Sequence, residues 1–282
     1  MRELSRYQKN RRFYAGRRKK SGILINGEDY VIKYRRNSPE GKVCDHVSEY
    51  LGSHILDMLG VVTQDTWLGT CRGEEVVLCK DFTSQEENFI SFEQLGEHFL
   101  DVTGKPVQYE YEQIMEVLTM FLGYSAAKVI INTFWDMVII DAFVANGERR
   151  GRSWGLLKKG GQYSPAPVLG SDSCLFPDVV TDEQCRQILA SKEEMQRRIF
   201  DIPIPKIQHK GRARSYYDII SGHYFRDCER ALWRMIQKID FEAVNYLVES
   251  VAFTSSIRKK FLITILEERY KNLLLRPFEK RM

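Results

Sequence analysis

Residues Phe134 to Pro177 decide how this chain is read: an apolar run Phe134-Trp-Asp-Met-Val-Ile-Ile-Asp141, a polar loop Ala142-Phe-Val-Ala-Asn-Gly-Glu-Arg-Arg-Gly-Arg-Ser-Trp-Gly155, and the segment Ala166-Pro-Val-Leu-Gly-Ser-Asp-Ser-Cys-Leu-Phe-Pro177. The run belongs to a longer pattern, Ala126 to Val144, that is apolar nearly all round and so predicts a buried helix. Polar groups crowd where that helix ends. A buried helix fixes the base of a charged loop and leaves the loop to face a ligand. Asp136 and Asp141 lie on the helix and must be hydrogen-bonded there, Asp141 as a structural acceptor for loop N–H groups.

Outward from this centre, the chain changes character. Gly22-Ile-Leu-Ile-Asn-Gly-Glu-Asp-Tyr-Val-Ile-Lys-Tyr34 reads as a hairpin, because Asn26-Gly27 tolerates the positive φ of a tight turn. Lys33 then lies on its second strand. Asp45 is placed to cap a helix with an apolar face of Val47, Tyr50, Leu51, Ile55, Met58 and Leu59, with Glu49 off the centre of that face. Two more strands, Thr66 to Cys71 and Glu74 to Cys79, turn at Arg72-Gly73. Composition shifts in the polar stretch Thr83 to Asn88, so the boundary is expected between residues 1–82, β-rich, and 83–282, mainly helical. The helical segments read as Tyr111–Leu122, Ala126–Val144, Thr181–Arg197, Arg226–Lys238, Phe241–Glu249 and Ser256–Leu275.

Bulk composition narrows the class. With 282 residues, 43% hydrophobic and 28% charged, the chain has the profile of a globular protein. No apolar run approaches the roughly 20 residues of a membrane span, and the basic start lacks a signal-peptide core, so the expectation is a cytoplasmic protein without a membrane partner. Six scattered cysteines without a C-x-x-C pair suit reduced, buried thiols. The net charge of +4 is local: nine Lys or Arg against the single acid Glu3 stand in residues 1–20. Arg11, Arg12, Arg17, Arg18, Lys19 and Lys20 lack the wider basic face and base-reading partners of a nucleic-acid site, so a nucleic-acid partner is not expected.

The two central motifs resemble the catalytic and metal loops of the HipA-like kinases, in particular the short branch without an added N-terminal subdomain. Their pattern runs D-x-L-I-x-N-x-D-R-H-x-x-N-W-G, then A-P-x-Y-D-x-G-S-x-L-F. The resemblance extends over nearly the whole chain, through Cys79-Lys-Asp-Phe82 to Tyr216-Tyr-Asp218, Ile239-Asp240 and Arg269-Tyr270. It implies an α+β, two-lobed kinase-like fold, with residues 1–82 as a nucleotide-binding lobe and ATP with Mg²⁺ as cofactors. Lys33 would neutralise phosphates and Glu49 would pair with it. Tyr14 to Gly22, with only Gly16 and Gly22, would cover the phosphates, and Lys80, Asp81 and Phe82 would form the adenine hinge.

The working residues depart from the family pattern. The base position carries Glu148, whose extra methylene displaces the carboxylate by about an ångström, and the histidine position carries Arg150 beside a retained Arg149. The asparagine ligand is Ser153. The metal-binding aspartate falls at Gly170, leaving Asp172, at the family's glycine position, as a substitute that needs a different backbone path. The expectation is a pseudokinase that binds nucleotide, a protein partner or both. Gly170→Asp, Glu148→Asp and Ser153→Asn together would be needed to restore transfer. Arg149, Arg150 and Arg152, with Lys19 and Lys20, would supply the charge that Mg²⁺ otherwise covers. The competing class is an active but slow serine/threonine kinase using Glu148 and Asp172, and family context adds a toxin–antitoxin component.

Overall fold

The structure, a computed structural model, describes residues 2–14, 18–83 and 86–281. Gly16 and Arg17 of the expected phosphate-covering loop lie outside the described residues, as do Ser84 and Gln85.

The first hairpin forms as its sequence demands. β2 (Lys20–Ile25) and β3 (Glu28–Tyr34) turn through Asn26 and Gly27 at φ 52° and 82°, the left-handed pair that an Asn-Gly turn allows. β1 (Arg2–Glu3) starts the chain, and β4 (Asn37–Ser38) and β5 (Gly41–Lys42) make a small ribbon after the hairpin. α1 (Asp45–Met58) follows, then β6 (Thr66–Cys71) and β7 (Glu74–Lys80), turning at Arg72-Gly73. The five-stranded sheet has the order β1-β6-β7-β3-β2, antiparallel except where β1 runs parallel to β6. β1 is too short to be read from periodicity.

Asp45 is not the cap of α1: Cys44 holds that position without a side-chain bond, and the Asp45 carboxylate is fully buried and accepts from the Arg36 backbone N–H and Nε. Helix α1 also does not stay with the sheet. Its Val47, Leu51, Ile55 and Leu56 enter the same apolar cluster as Trp135, Ile139 and Phe143, whereas Ile23, Ile32, Val76 and Leu78 form a separate cluster on the sheet's other face. The Lys33 face and the large core thus meet through α1.

A second sheet was not foreseen. β8 (Glu87–Ser91), β9 (Gly155–Lys159) and β10 (Gln162–Pro165) form an antiparallel sheet in the order β10-β9-β8, and α2 (Phe92–Thr103) begins at once. The Ser91–Gln94 capping box at the start of α2 is a readable helix signal just after the polar stretch Thr83 to Asn88. The two loops of interest flank this sheet.

α3 (Tyr111–Leu122) and α4 (Tyr124–Phe143) follow, α4 as the central helix with Trp135 fully buried against Tyr111 and Phe225. Asp136 is bonded by Arg234, 2.6 Å away, as its burial requires. The expected long helices break into shorter ones: α5 (Asp182–Ala190) and α6 (Lys192–Gln196), then the ribbon β11 (Gln208–His209) and β12 (Arg212–Ala213). α7 (Tyr216–Ser221), α8 (Arg226–Ile236), α9 (Phe241–Ser250), α10 (Ser256–Arg269) and α11 (Arg276–Glu279) close the chain. All six cysteines are free and buried. Among the described residues no helix is long and apolar enough to cross a membrane.

Trp135→Ala should lower unfolding free energy by about 3–5 kcal/mol, since so large a side chain leaves a cavity the core cannot refill. Urea denaturation followed by far-UV circular dichroism measures it, and a wild-type midpoint would show that α4 is not the centre of the core.

Candidate functional site

Lys33 points from β3 to the face covered by α1, where its Nζ is 3.1 Å from Glu49 Oε1, both side chains at most one-tenth exposed. Glu49 Oε1 also accepts from the Ser171 backbone N–H at 3.3 Å. One carboxylate therefore joins strand, helix and the loop after β10. Burial opposes the charge on Lys33, but the neighbouring Cys79, Glu49 and Asp172 leave its pKa above the ordinary lysine value. Glu49 is pushed up by burial and down by Lys33 and Arg18, with a net fall.

Arg18 enters the same cluster, which the sequence did not suggest. Its guanidinium lies 3.2 Å from Asp45, 3.6 Å from Glu49 and 3.3 Å from Asp172, while its Nε donates to the Tyr34 carbonyl at 2.7 Å. Lys20 is paired in register with Lys33 across β2 and β3, and its pKa falls through burial and the positive charges of Lys33 and Arg18. Asp172 rises instead, chiefly from burial and the Glu49 charge.

Close to Lys33, Val31, Val77 and Cys79 make an apolar wall against which Tyr14 packs. The Tyr14 hydroxyl donates to Asp81 at 3.1 Å, and Arg12 binds both Asp81 and Asp29. Of the expected hinge residues, Lys80 brings no cation to the wall, because Glu28 holds its ammonium at 2.6 Å. Its backbone N–H and carbonyl are taken by Asp65 and Gln64, and the Asp81 N–H by the Asp29 carbonyl. Phe82 packs edge-on against Phe89.

The loop after α4 is built around Asp141. Arg149 binds both Asp141 oxygens, at 2.8 and 2.7 Å, and spends its remaining donors on the Leu169 and Gly170 carbonyls and the Ser171 hydroxyl. Asn146, fully buried, donates to Asp141 and accepts from the Glu148 N–H and the Ser173 hydroxyl. Tyr216 donates to the Asn146 carbonyl and Arg269 to that of Ala142, so the tail motifs buttress this loop. Burial lowers the Arg269 pKa to about 9.

These contacts correct the expectation for the loop arginines. Arg149 is a buried fastener with no donor left for phosphate. Arg150 is exposed and donates to Glu148 at 2.7 Å, while Arg152 lies 3.6 Å from Glu93. Lys19 pairs with Glu74 and covers the Tyr34 ring, away from Lys33. Glu148 is half-exposed, held by Arg150 and by Lys206 at 3.5 Å; burial raises its pKa, and these two cations bring it below the usual value.

Gly170 is more than a lost side chain. It sits at φ +80°, and a Cβ there would stand 2.7 Å from Ser153 Oγ. Gly52 of α1 is needed for closeness: a Cβ on it would lie 2.7 Å from Ser171 Cβ and 2.8 Å from Cys174 Sγ. The 170–174 loop is thus pressed between Ser153 and α1. Aspartate at 170 would be strained, and asparagine at 153 would compete for the same space. Among the described residues no cluster of His, Cys, Asp and Glu is arranged to hold a metal ion. Gly170 offers no ligand and Asp172 is already paired with Arg18, so the residues do not fit a protein-bound Mg²⁺.

No protein-family model matches the chain. The serine/threonine-protein kinase CtkA of Helicobacter pylori (strain J99) is 28% identical over 262 residues, covering 90% of this chain and 80% of that protein. The crystal structure of the H. pylori proinflammatory kinase CtkA superposes with a TM-score of 0.89 at 26% identity, over 99% of this chain and 96% of that one. The chain is thus similar in sequence and in structure to the HipA-like kinase CtkA. Its fold is the two-lobed kinase-like one expected for HipA-like proteins. A HipA chain of Shewanella oneidensis MR-1, solved with HipB and operator DNA, gives a TM-score of 0.49 at 12% identity, over 97% of this chain and 65% of that one.

Gly170→Ala should destabilise the protein by about 1–3 kcal/mol, from the left-handed backbone and the contact with Ser153. Adding Ser153→Gly should recover part of that loss, read as a coupling in a double-mutant cycle on urea midpoints. Strict additivity would show that the two positions do not press on each other. Glu49→Gln should cost about 3–5 kcal/mol at pH 7 by removing the carboxylate that Lys33 pairs with. Because the folded-state pKa of Glu49 lies below its unfolded value, its stabilisation is present above pH ~4.3 and is lost as pH falls through the folded value. Urea midpoints of the two proteins should converge in acid, and a gap unchanged at low pH would contradict the ion pair.

Proposed function

We propose that this HipA-like protein binds a purine nucleotide, ATP above all, in the cleft under Lys33, and transfers phosphate weakly or not at all. In this reading residues 1–82 form the nucleotide lobe and 83–282 the lobe carrying both loops. Lys33 meets phosphate, Glu49 positions Lys33, and the base lies along the wall of Val31, Val77 and Cys79 beside Asp81 and Phe82, where Tyr14 rests. Kinase chemistry needs a metal to bridge phosphates and a carboxylate to receive the hydroxyl proton. The pairing of Asp172 with Arg18, beside a Gly170 that cannot be replaced without strain, is the observation that carries the pseudokinase reading. Glu148, tied to Arg150 and Lys206, is a poor base for the same site. Six buried free thiols accord with a cytoplasmic setting.

The active alternative keeps one observation in its favour: Asp172 lies close enough to Lys33 for each to shift the other's titration. Incubation with labelled ATP and Mg²⁺ separates the two. We expect no phosphate incorporation above background in the wild type or in Glu148→Gln, together with calorimetric ATP binding that Lys33→Ala weakens by about tenfold or more. Robust incorporation that Glu148→Gln abolishes would establish the slow kinase instead.

A further inference from the structure

The wall on which the base is read to lie already carries an aromatic ring of the chain's own. We propose that Tyr14 is a built-in plug of the base site: its ring occupies the wall of Val31, Val77 and Cys79 in the free protein and must leave for a purine to enter. The inference rests on the nucleotide reading given above.

The pleat of the strands puts this ring inside the cleft. Val31 lies two residues before Lys33 on β3, and Val77 and Cys79 of β7 stand opposite Lys33 and Val31, so all four share the face from which Lys33 reaches Glu49. β2 leaves that face bare at one point. Gly22 is opposite Val31, and a Cβ on it would stand 1.9 Å from Asn10 Oδ1 and 2.8 Å from Tyr14 Cε2. Asn10 and Tyr14 take the space that a β2 side chain would fill, and the Tyr14 ring packs onto the wall.

Polar contacts at the rim hold the ring there. The Tyr14 hydroxyl donates to Asp81 at 3.1 Å and accepts from the Asn10 amide at 3.1 Å, and that amide also donates to Asp29 at 2.8 Å. Arg12 ties the same two carboxylates, 2.6 Å from Asp29 and 3.0 Å from Asp81, with over a third of its side chain exposed. Ion pairs at such exposure hold weakly, so this latch can open. The N–H and carbonyl of Lys80 and the N–H of Asp81 are bonded within the protein, which leaves the Asp81 carboxylate as the acceptor at this edge of the wall. Tyr14 presents to the wall and to Asp81 a flat ring with a donor at its edge. A purine with an exocyclic amino group presents the same two features, so the two compete for one place.

Calorimetric titration of ATP into wild type, Tyr14→Ala, Tyr14→Phe and Arg12→Gln tests the plug. Apparent affinity scales with the fraction of protein in which the site is open, so Tyr14→Ala should bind ATP about tenfold or more tighter than wild type. Tyr14→Phe and Arg12→Gln keep the ring but loosen its latch; they should gain about twofold or more, and they guard against an alanine variant that fails to fold. Binding by the variants with none by wild type is the same result in its extreme form. Weaker binding by Tyr14→Ala would show that the ring stacks on the base, and unchanged affinity in the variants that fold would show that it lies clear of the site. Either overturns the plug while leaving the nucleotide site standing. No ATP binding by any of the four proteins overturns the nucleotide reading and this inference with it.

Discussion

The buried contact between Lys33 and Glu49 is the constraint on which the rest of the site depends. An ion pair this deep repays its desolvation only if every remaining lone pair and proton finds a partner. Here the partners come from three separate parts of the chain: Arg18 ahead of β2, Lys33 on β3, and the Ser171 N–H in the loop after β10. The contacts of one glutamate therefore tie α1 to the loop in which a kinase would hold its metal. Gly52 permits the close approach of α1 to that loop, and α1 in turn carries the Glu49 network into the core around Trp135.

A second buried carboxylate performs the matching task on the other side. Asp141 gathers Asn146 and Arg149, and Arg149 passes its remaining donors to the carbonyls of Leu169 and Gly170. The two loops are thus locked together by groups that touch no ligand. The kinase-like frame is thereby held by residues other than the candidate working positions. The residues that hold the loops are separate from those at Glu148, Ser153 and Gly170, which would meet the metal or the substrate.

Much of the fold could be read from local pattern. The Asn-Gly and Arg-Gly turns, the periodic face of α1, the all-round apolarity of α4 and the acceptor role of Asp141 all rest on residues near one another in sequence. The meeting of Lys33 with Glu49 came from resemblance, and the geometry agrees. What stayed hidden depends on distance along the chain. Arg18 meets Asp172 across 154 positions, and nothing in a basic run marks which arginine turns inward. β8 pairs with β9 across a gap that includes α2, α3 and α4, and its own five residues are too polar and too few to signal a strand. The expectation for Arg149 departs from the structure for a related reason: a charge in a polar loop can belong to the loop's support.

The proposal is that this cleft holds a nucleotide with no protein ligand on a divalent metal. Crystals grown with ATP and Mn²⁺ test it most directly, because anomalous scattering locates manganese without reference to the protein model. The expected result is a triphosphate ordered against Lys33, with any manganese on it lacking Asp172 and Ser153 in its coordination sphere. An anomalous peak ligated by Asp172 or Ser153 would contradict it.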